Sequence, residues 1–146
     1  MALVAVTRLR LRSGRFFLPF LWYTLRSYFQ CRAADGNLAA MTRRFGGAYW
    51  TLTAWRDKAA MRAYMTSGAH RDAMPRLQHW CDEASVGQWE QAWEQESATL
   101  PEWTAAEHRL RTEGRLSAVK HPSPAQVSGA TLGSSQNPVT DVGLVV

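Results

Sequence analysis

The chain has 146 residues, 46% hydrophobic and 20% charged, enough for one domain around a single core and not the composition of a wholly disordered chain. Its net charge of +5 is unevenly spread: residues 1–62 hold 11 Lys and Arg against 2 Asp and Glu, and residues 63–146 hold 6 against 10. A basic half can attract nucleic acid or an anionic surface, but Arg8, Arg10 and Arg12 alternate with Leu9 and Leu11 like one solvated strand face, so no nucleic-acid partner is expected.

Ala2–Arg12 alternates and is rich in β-formers, which predicts a first strand ending at Ser13-Gly14. A helix follows from about Pro19, with Phe17, Phe20, Leu21, Leu25, Tyr28 and Phe29 as its apolar stripe. Leu38–Arg44 reads as a second strand, Gly46-Gly47 as a hairpin turn and Ala48–Trp55 as the strongest strand. Alternation puts Tyr49, Thr51, Thr53 and Trp55 on one face, Trp50 and Leu52 on the other. Asp57 is placed to cap a helix whose stripe is Ala60, Met61, Tyr64 and Met65. Ser67 can cap the next helix, which Pro75 is expected to stop or kink, and Glu83–Gln91 is the last strand.

Strand, helix, strand, strand, helix pair, strand is the α+β, ferredoxin-like βαββαβ order: a four-stranded antiparallel sheet with helices on one face. The uncovered face would carry tryptophan and threonine, so sheet-to-sheet homodimerisation is expected. The expected organisation is an α+β domain over residues 1–95, a helical extension over 96–121 and a disordered tail over 122–146, rich in Pro, Gly and Ser.

Cys31 and Cys81 form no CxxC and no Cys/His metal spacing, so two buried free thiols and no metal site are expected. The N-terminus lacks the order of a signal peptide. The most apolar run, Phe16–Leu25, is well short of the roughly 20 residues of a spanning helix. A cytoplasmic protein without a membrane span is the expectation. No Ser/His/Asp set, P-loop or GxGxxG occurs, which removes hydrolase, NTPase and dinucleotide readings.

"YWTLTAWRDKAAMRAYMTSGAHRDAMPRLQHWCDEASVGQW" (Tyr49–Trp89) resembles bacterial proteins of the dimeric α+β barrel superfamily, within a small family of unknown function. It is similar to antibiotic-biosynthesis monooxygenases and shares a tryptophan strand, helix and Gly-x-His with spheroidene-monooxygenase-like proteins. The resemblance spans about residues 2–91, and "TEGRLSAVKHPS" (Thr112–Ser123) also resembles the family's C-terminal segment. It implies a dimeric barrel and monooxygenase-like oxidoreductase chemistry on an apolar or aromatic small molecule in a helix–sheet pocket. A non-catalytic ligand- or haem-binding dimer, or a structural partner module, are the alternatives. His70 is the residue that carries over to the catalytic or haem-ligating position, with Asp72 or Ser67 as its orienting partner; against this stands an imidazole that closes the Ser67 cap. Trp22, Tyr23, Trp50 and Trp55 are the candidate substrate-binding aromatics, against a plain core role. The cofactor expectation is none or haem.

Overall fold

The structure is a computed structural model and describes residues 1–94 and 99–132. β1 (Ala2–Leu11), β2 (Asn37–Phe45), β3 (Ala48–Trp55) and β4 (Cys81–Gln91) are its long strands. A two-residue strand, β5 (Arg115–Leu116), completes one antiparallel sheet of order β2-β3-β1-β4-β5. β1 is central because its alternation gives it two apolar faces. β2 and β3 meet at Gly46 and Gly47, both at positive φ (58° and 75°), as a tight hairpin with right-handed strand twist requires.

α1 (Phe17–Ala33), α2 (Lys58–Met65) and α3 (Gly68–Trp80) lie on one sheet face. Under them are Ala5, Leu9, Ala40, Trp55 and Ala84. Asp57 caps α2, its Oδ1 accepting from the Ala60 N–H at 2.8 Å. α3 runs through Pro75 to Trp80 rather than stopping there.

The expected bare second face is instead covered by the chain itself. α4 (Trp103–Glu113) buries Ala106 and Leu110 against Val4, Val6, Trp50, Leu52 and Trp89, joined by Leu116 and Leu132. Gly87 makes room: a Cβ there would stand 3.5 Å from the Leu110 Cα. An apolar sheet face needs cover, and a helix with small and apolar residues four apart supplies it in cis. Helices therefore flank both faces, and α4 and β5 share the core of the strands.

The tail expectation is corrected over residues 122–132; residues 133–146 lie outside the described residues. α5 (Pro124–Ser128) is capped by Ser123, and Gln126 is buried. The Gln126 carboxamide accepts from the Ala84 N–H (3.2 Å) and donates to the Ala84 (3.1 Å) and Ser117 (2.9 Å) carbonyls. The segment is held by hydrogen bonds rather than by an apolar period, so hydropathy did not mark it.

Two further readings change. Arg8 and Arg10 are not a solvated row: both donate to the buried Glu83, at 2.8 and 3.0 Å, and the Ser123 hydroxyl donates to the same carboxylate at 2.9 Å. On α1 the buried residues are Phe20, Ser27 and Cys31, whereas Phe17, Leu21, Leu25 and Phe29 of the expected stripe are exposed. The helix is apolar on both sides, so its periodicity could not say which side meets the sheet.

Candidate functional site

A cavity of about 630 Å³ opens between α2, α3 and the β4–β5 edge. Met61, Met65 and Met74 give it an apolar wall; Lys58, Arg62, Arg71 and Arg115 stand around it, with Gln88 from the sheet. Among the described residues no carboxylate lines it. Methionines adapt to the shape of a guest, and four cations favour a guest that carries negative charge.

His70 lines this cavity and has no exposed surface. It is held from several sides. Gly68 opens α3 at φ +56°, and a Cβ there would stand 3.0 Å from the Gln30 carboxamide. That close approach lets Gln30 cap the helix from α1. Its Oε1 accepts from the His70 N–H (3.0 Å), and its Nε2 donates to the Ser67 carbonyl (2.8 Å). The imidazole Nδ1–H donates to the Met65 carbonyl at 2.9 Å. A carbonyl only accepts, so in the neutral ring the proton sits on Nδ1 and the basic lone pair on Nε2.

Neither Ser67 nor Asp72 orients the ring, as the sequence had suggested. The Ser67 hydroxyl donates back to the Ala63 carbonyl (2.8 Å), and Asp72 pairs with Arg71. Behind His70 stands Tyr64, ring centroids 4.8 Å apart, and behind Tyr64 stands Trp55 at 5.1 Å, stacked. The Tyr64 hydroxyl donates to the Ser27 carbonyl (3.1 Å), and burial pushes its pKa up.

The four candidate aromatics are not gathered around one pocket. Trp55 is fully buried, its Nε1–H donating to the Thr53 hydroxyl at 3.0 Å. Trp50 lies on the opposite sheet face, in a separate 210 Å³ hollow with Phe45 and Trp103. Trp22 is exposed on the outside of α1, and Tyr23 packs on Trp80 under the Arg76 guanidinium. Strand alternation separates Trp50 from Trp55, and the rotation of α1 carries Trp22 outward. Sequence reasoning missed Gln30, the methionine wall and the cationic rim; the spacing of Lys58 and Arg62, and of Met61 and Met65, on one helix was the available signal.

Cys31 and Cys81 are buried and free, and burial pushes both thiols up to about 12. Among the described residues no group of His, Cys, Asp and Glu is arranged to hold a metal ion, and no helix is long and apolar enough to cross a membrane.

Several solved structures share this fold. Rv0793 from Mycobacterium tuberculosis is 13% identical with a TM-score of 0.58, covering 64% of this chain and 98% of its own. SnoaB, a cofactor-independent oxygenase from Streptomyces nogalater, is 13% identical with a TM-score of 0.53 over 66% of this chain and 98% of its own. A conserved protein from Methanosarcina mazei Go1 is 12% identical with a TM-score of 0.57 over 63% and 94%. These likenesses identify the fold as that of the antibiotic-biosynthesis-monooxygenase-like α+β proteins. No curated protein matches the sequence. Residues 27–118, which hold the Gln30–His70 pair, the cavity and α4, match the domain of unknown function DUF3291, and the chain belongs to that family.

Proposed function

We propose that this chain is a monooxygenase-like small-molecule protein whose cavity takes a flat apolar or aromatic molecule bearing an anionic or acidic oxygen. The observation that carries the reading is the cavity itself: a methionine wall, a rim of four cations without a carboxylate, and a buried histidine whose tautomer is fixed by a backbone carbonyl. The wall matches an apolar ring. The rim stabilises the deprotonated form of a phenol, enol or carboxylate. We assign His70 as the side chain of the cavity wall that takes up the proton once a guest displaces its present contacts, and for a phenol or enol the resulting electron-rich anion is the form that reacts with dioxygen. The likeness to a cofactor-independent oxygenase supports the same assignment. Trp55 and Tyr64 act from behind, fixing the imidazole plane, and Trp22, Tyr23 and Trp50 have no direct place in this reading.

A second reading rests on the same tautomer. A histidine that donates Nδ1–H to a backbone carbonyl has the tautomer of haem-iron ligands. Haem is flat and apolar with an acidic edge, so His70 would ligate it and the rim cations would meet its propionates; bound haem would supply iron-centred oxygen chemistry. Calorimetry with naphthoate and its uncharged methyl ester, beside a visible titration with haemin, separates the outcomes. The first reading expects naphthoate to bind, the ester to bind at least tenfold more weakly, and Arg62→Ala to abolish the difference. A Soret band lost in His70→Ala selects haem. Failure of both haemin and naphthoate to bind refutes both. A homodimer belongs to the reading as well. With α4 seated on the sheet, its contact would involve Met41 and Phe45, which are exposed beside Trp50 on the α4 side.

A further inference from the structure

α1 has two apolar faces, and among the described residues only one meets the rest of the chain. Phe20, Ser27 and Cys31 face inward. On the other side Leu18, Trp22, Leu25 and Phe29 follow at steps of four, three and four residues, which keeps them in one line along the helix. Leu18, Trp22 and Phe29 are 73%, 61% and 67% exposed. Single exposed apolar side chains need no explanation. A continuous line of them, widened by Phe17 and Leu21, marks a docking surface.

The charges around the line choose its occupant. Arg26 and Arg32 are exposed beside it, with the Arg26 guanidinium 5.8 Å from the Trp22 ring centroid, while Arg15 lays its guanidinium on Phe16 at 4.7 Å. The other three arginines before Asp35 are engaged elsewhere, Arg8 and Arg10 with Glu83 and Arg12 with His79. No acidic residue precedes Asp35. A second copy docked here would set these cations against their own kind, with no carboxylate on the helix to meet them. An anionic lipid surface answers both features at once: acyl chains for the apolar line, phosphates for the arginines.

We propose that α1 is an interfacial helix that seats this chain on an anionic bilayer. It lies in the membrane plane with Leu18, Trp22, Leu25 and Phe29 at the boundary between headgroups and acyl chains. Arg26 and Arg32 reach lipid phosphates from its flanks. The helix does not span, in keeping with its 17 residues.

The test is co-sedimentation of the full chain with phosphatidylcholine vesicles, with and without phosphatidylglycerol, at low and high salt. Binding is expected only to the phosphatidylglycerol vesicles, and salt should release it. Trp22→Ser/Phe29→Ser, checked for an unchanged melting temperature, should lose at least tenfold in partitioning. Each arginine removed in Arg26→Gln and Arg32→Gln should cost about fivefold. Equal binding to both vesicle types overturns the proposal, as does retained binding by the Trp22/Phe29 variant. Absence of vesicle binding also overturns it; if the wild type then self-associates and that variant does not, the line is a seat for a second copy.

Discussion

Glu83→Ala should destabilise the protein by about 3 kcal/mol, the low end of the cost of removing one partner from a buried ion pair. Glu83 is 2% exposed and accepts from Arg8, Arg10 and Ser123. Truncation leaves Arg8, whose side chain is 16% exposed, without its anion, whereas Arg10 is 46% exposed and keeps Asp82 at 3.4 Å. That places the loss nearer 3 than 5 kcal/mol, or roughly 10 °C in melting temperature for a chain of this size. Glu83→Gln keeps an acceptor for Ser123 and should cost about half as much. Circular dichroism melts and urea titrations at neutral pH give both values.

The same variant carries a pH signature. Burial pushes the Glu83 carboxyl up, but the Arg8 and Ser123 hydrogen bonds and the two guanidinium charges outweigh it, and the net pKa is lowered. A lowered folded-state pKa means that the contribution is fully present above the unfolded value, about 4.5, and is lost as pH falls through the folded one. Asp82 is raised, by burial first and in lesser part by the Glu83 charge, so it pulls the other way in both proteins and less strongly in the variant. The difference between wild type and Glu83→Ala is therefore the readout, and it should shrink on acidification below about 4.5. A cost under about 1 kcal/mol, the scale of a surface pair, or a difference indifferent to acid would refute the reasoning.

Removing residues 122–146 should lower the melting temperature by more than about 5 °C, because Ser123, Gln126 and Leu132 leave buried partners behind, and Gln126→Ala alone should cost about 2 kcal/mol in a chemical melt. Cys31 and Cys81, with thiols held up to about 12 by burial, should resist iodoacetamide in the native state and both react once denatured, as counted by mass spectrometry. Gln30→Ala should weaken ligand binding in the cavity while costing only about 1 kcal/mol, the scale of a lost cap; a binding constant equal to wild type would show that α1 does not position His70.

The strands and helices of residues 1–91 were legible because their signals are strong: β3 is a run of aromatic and β-branched residues buried on both faces, and α2 carries Asp57 at its cap and a single apolar stripe. α1 was legible as a helix but not in its rotation, since both of its sides are apolar. The cover on the second sheet face was missed because Ala106 and Leu110 make a modest stripe whose worth depends on Gly87 across from it, a relation visible only in three dimensions. His70 stood out as a residue, but its neighbours did not. Two of its partners are a backbone carbonyl and a glutamine forty positions away, neither of which leaves a mark in local sequence. The candidate tryptophans were chosen for chemistry without regard to face, and the pleat of the sheet separated them.

The Gln126 carboxamide does at Ala84 what a neighbouring strand would do: it offers one acceptor and one donor to the N–H and C=O of a single residue. β5 pairs with Ser85 and Val86, and backbone N–H groups of Ser117 and Ser123 go on to meet the Ala84 and Asp82 carbonyls, so the Gln126 side chain adds the acceptor that the Ala84 N–H needs. The opposite edge, β2, is guarded differently, by the exposed charges of Arg43 and Arg44. Loss of Gln126 would thus do more than loosen a tail. It would leave the Ala84 N–H without its acceptor, while the Ala84 carbonyl keeps the Ser117 N–H at 3.0 Å, and open one donor on the β4 margin to intermolecular β-pairing.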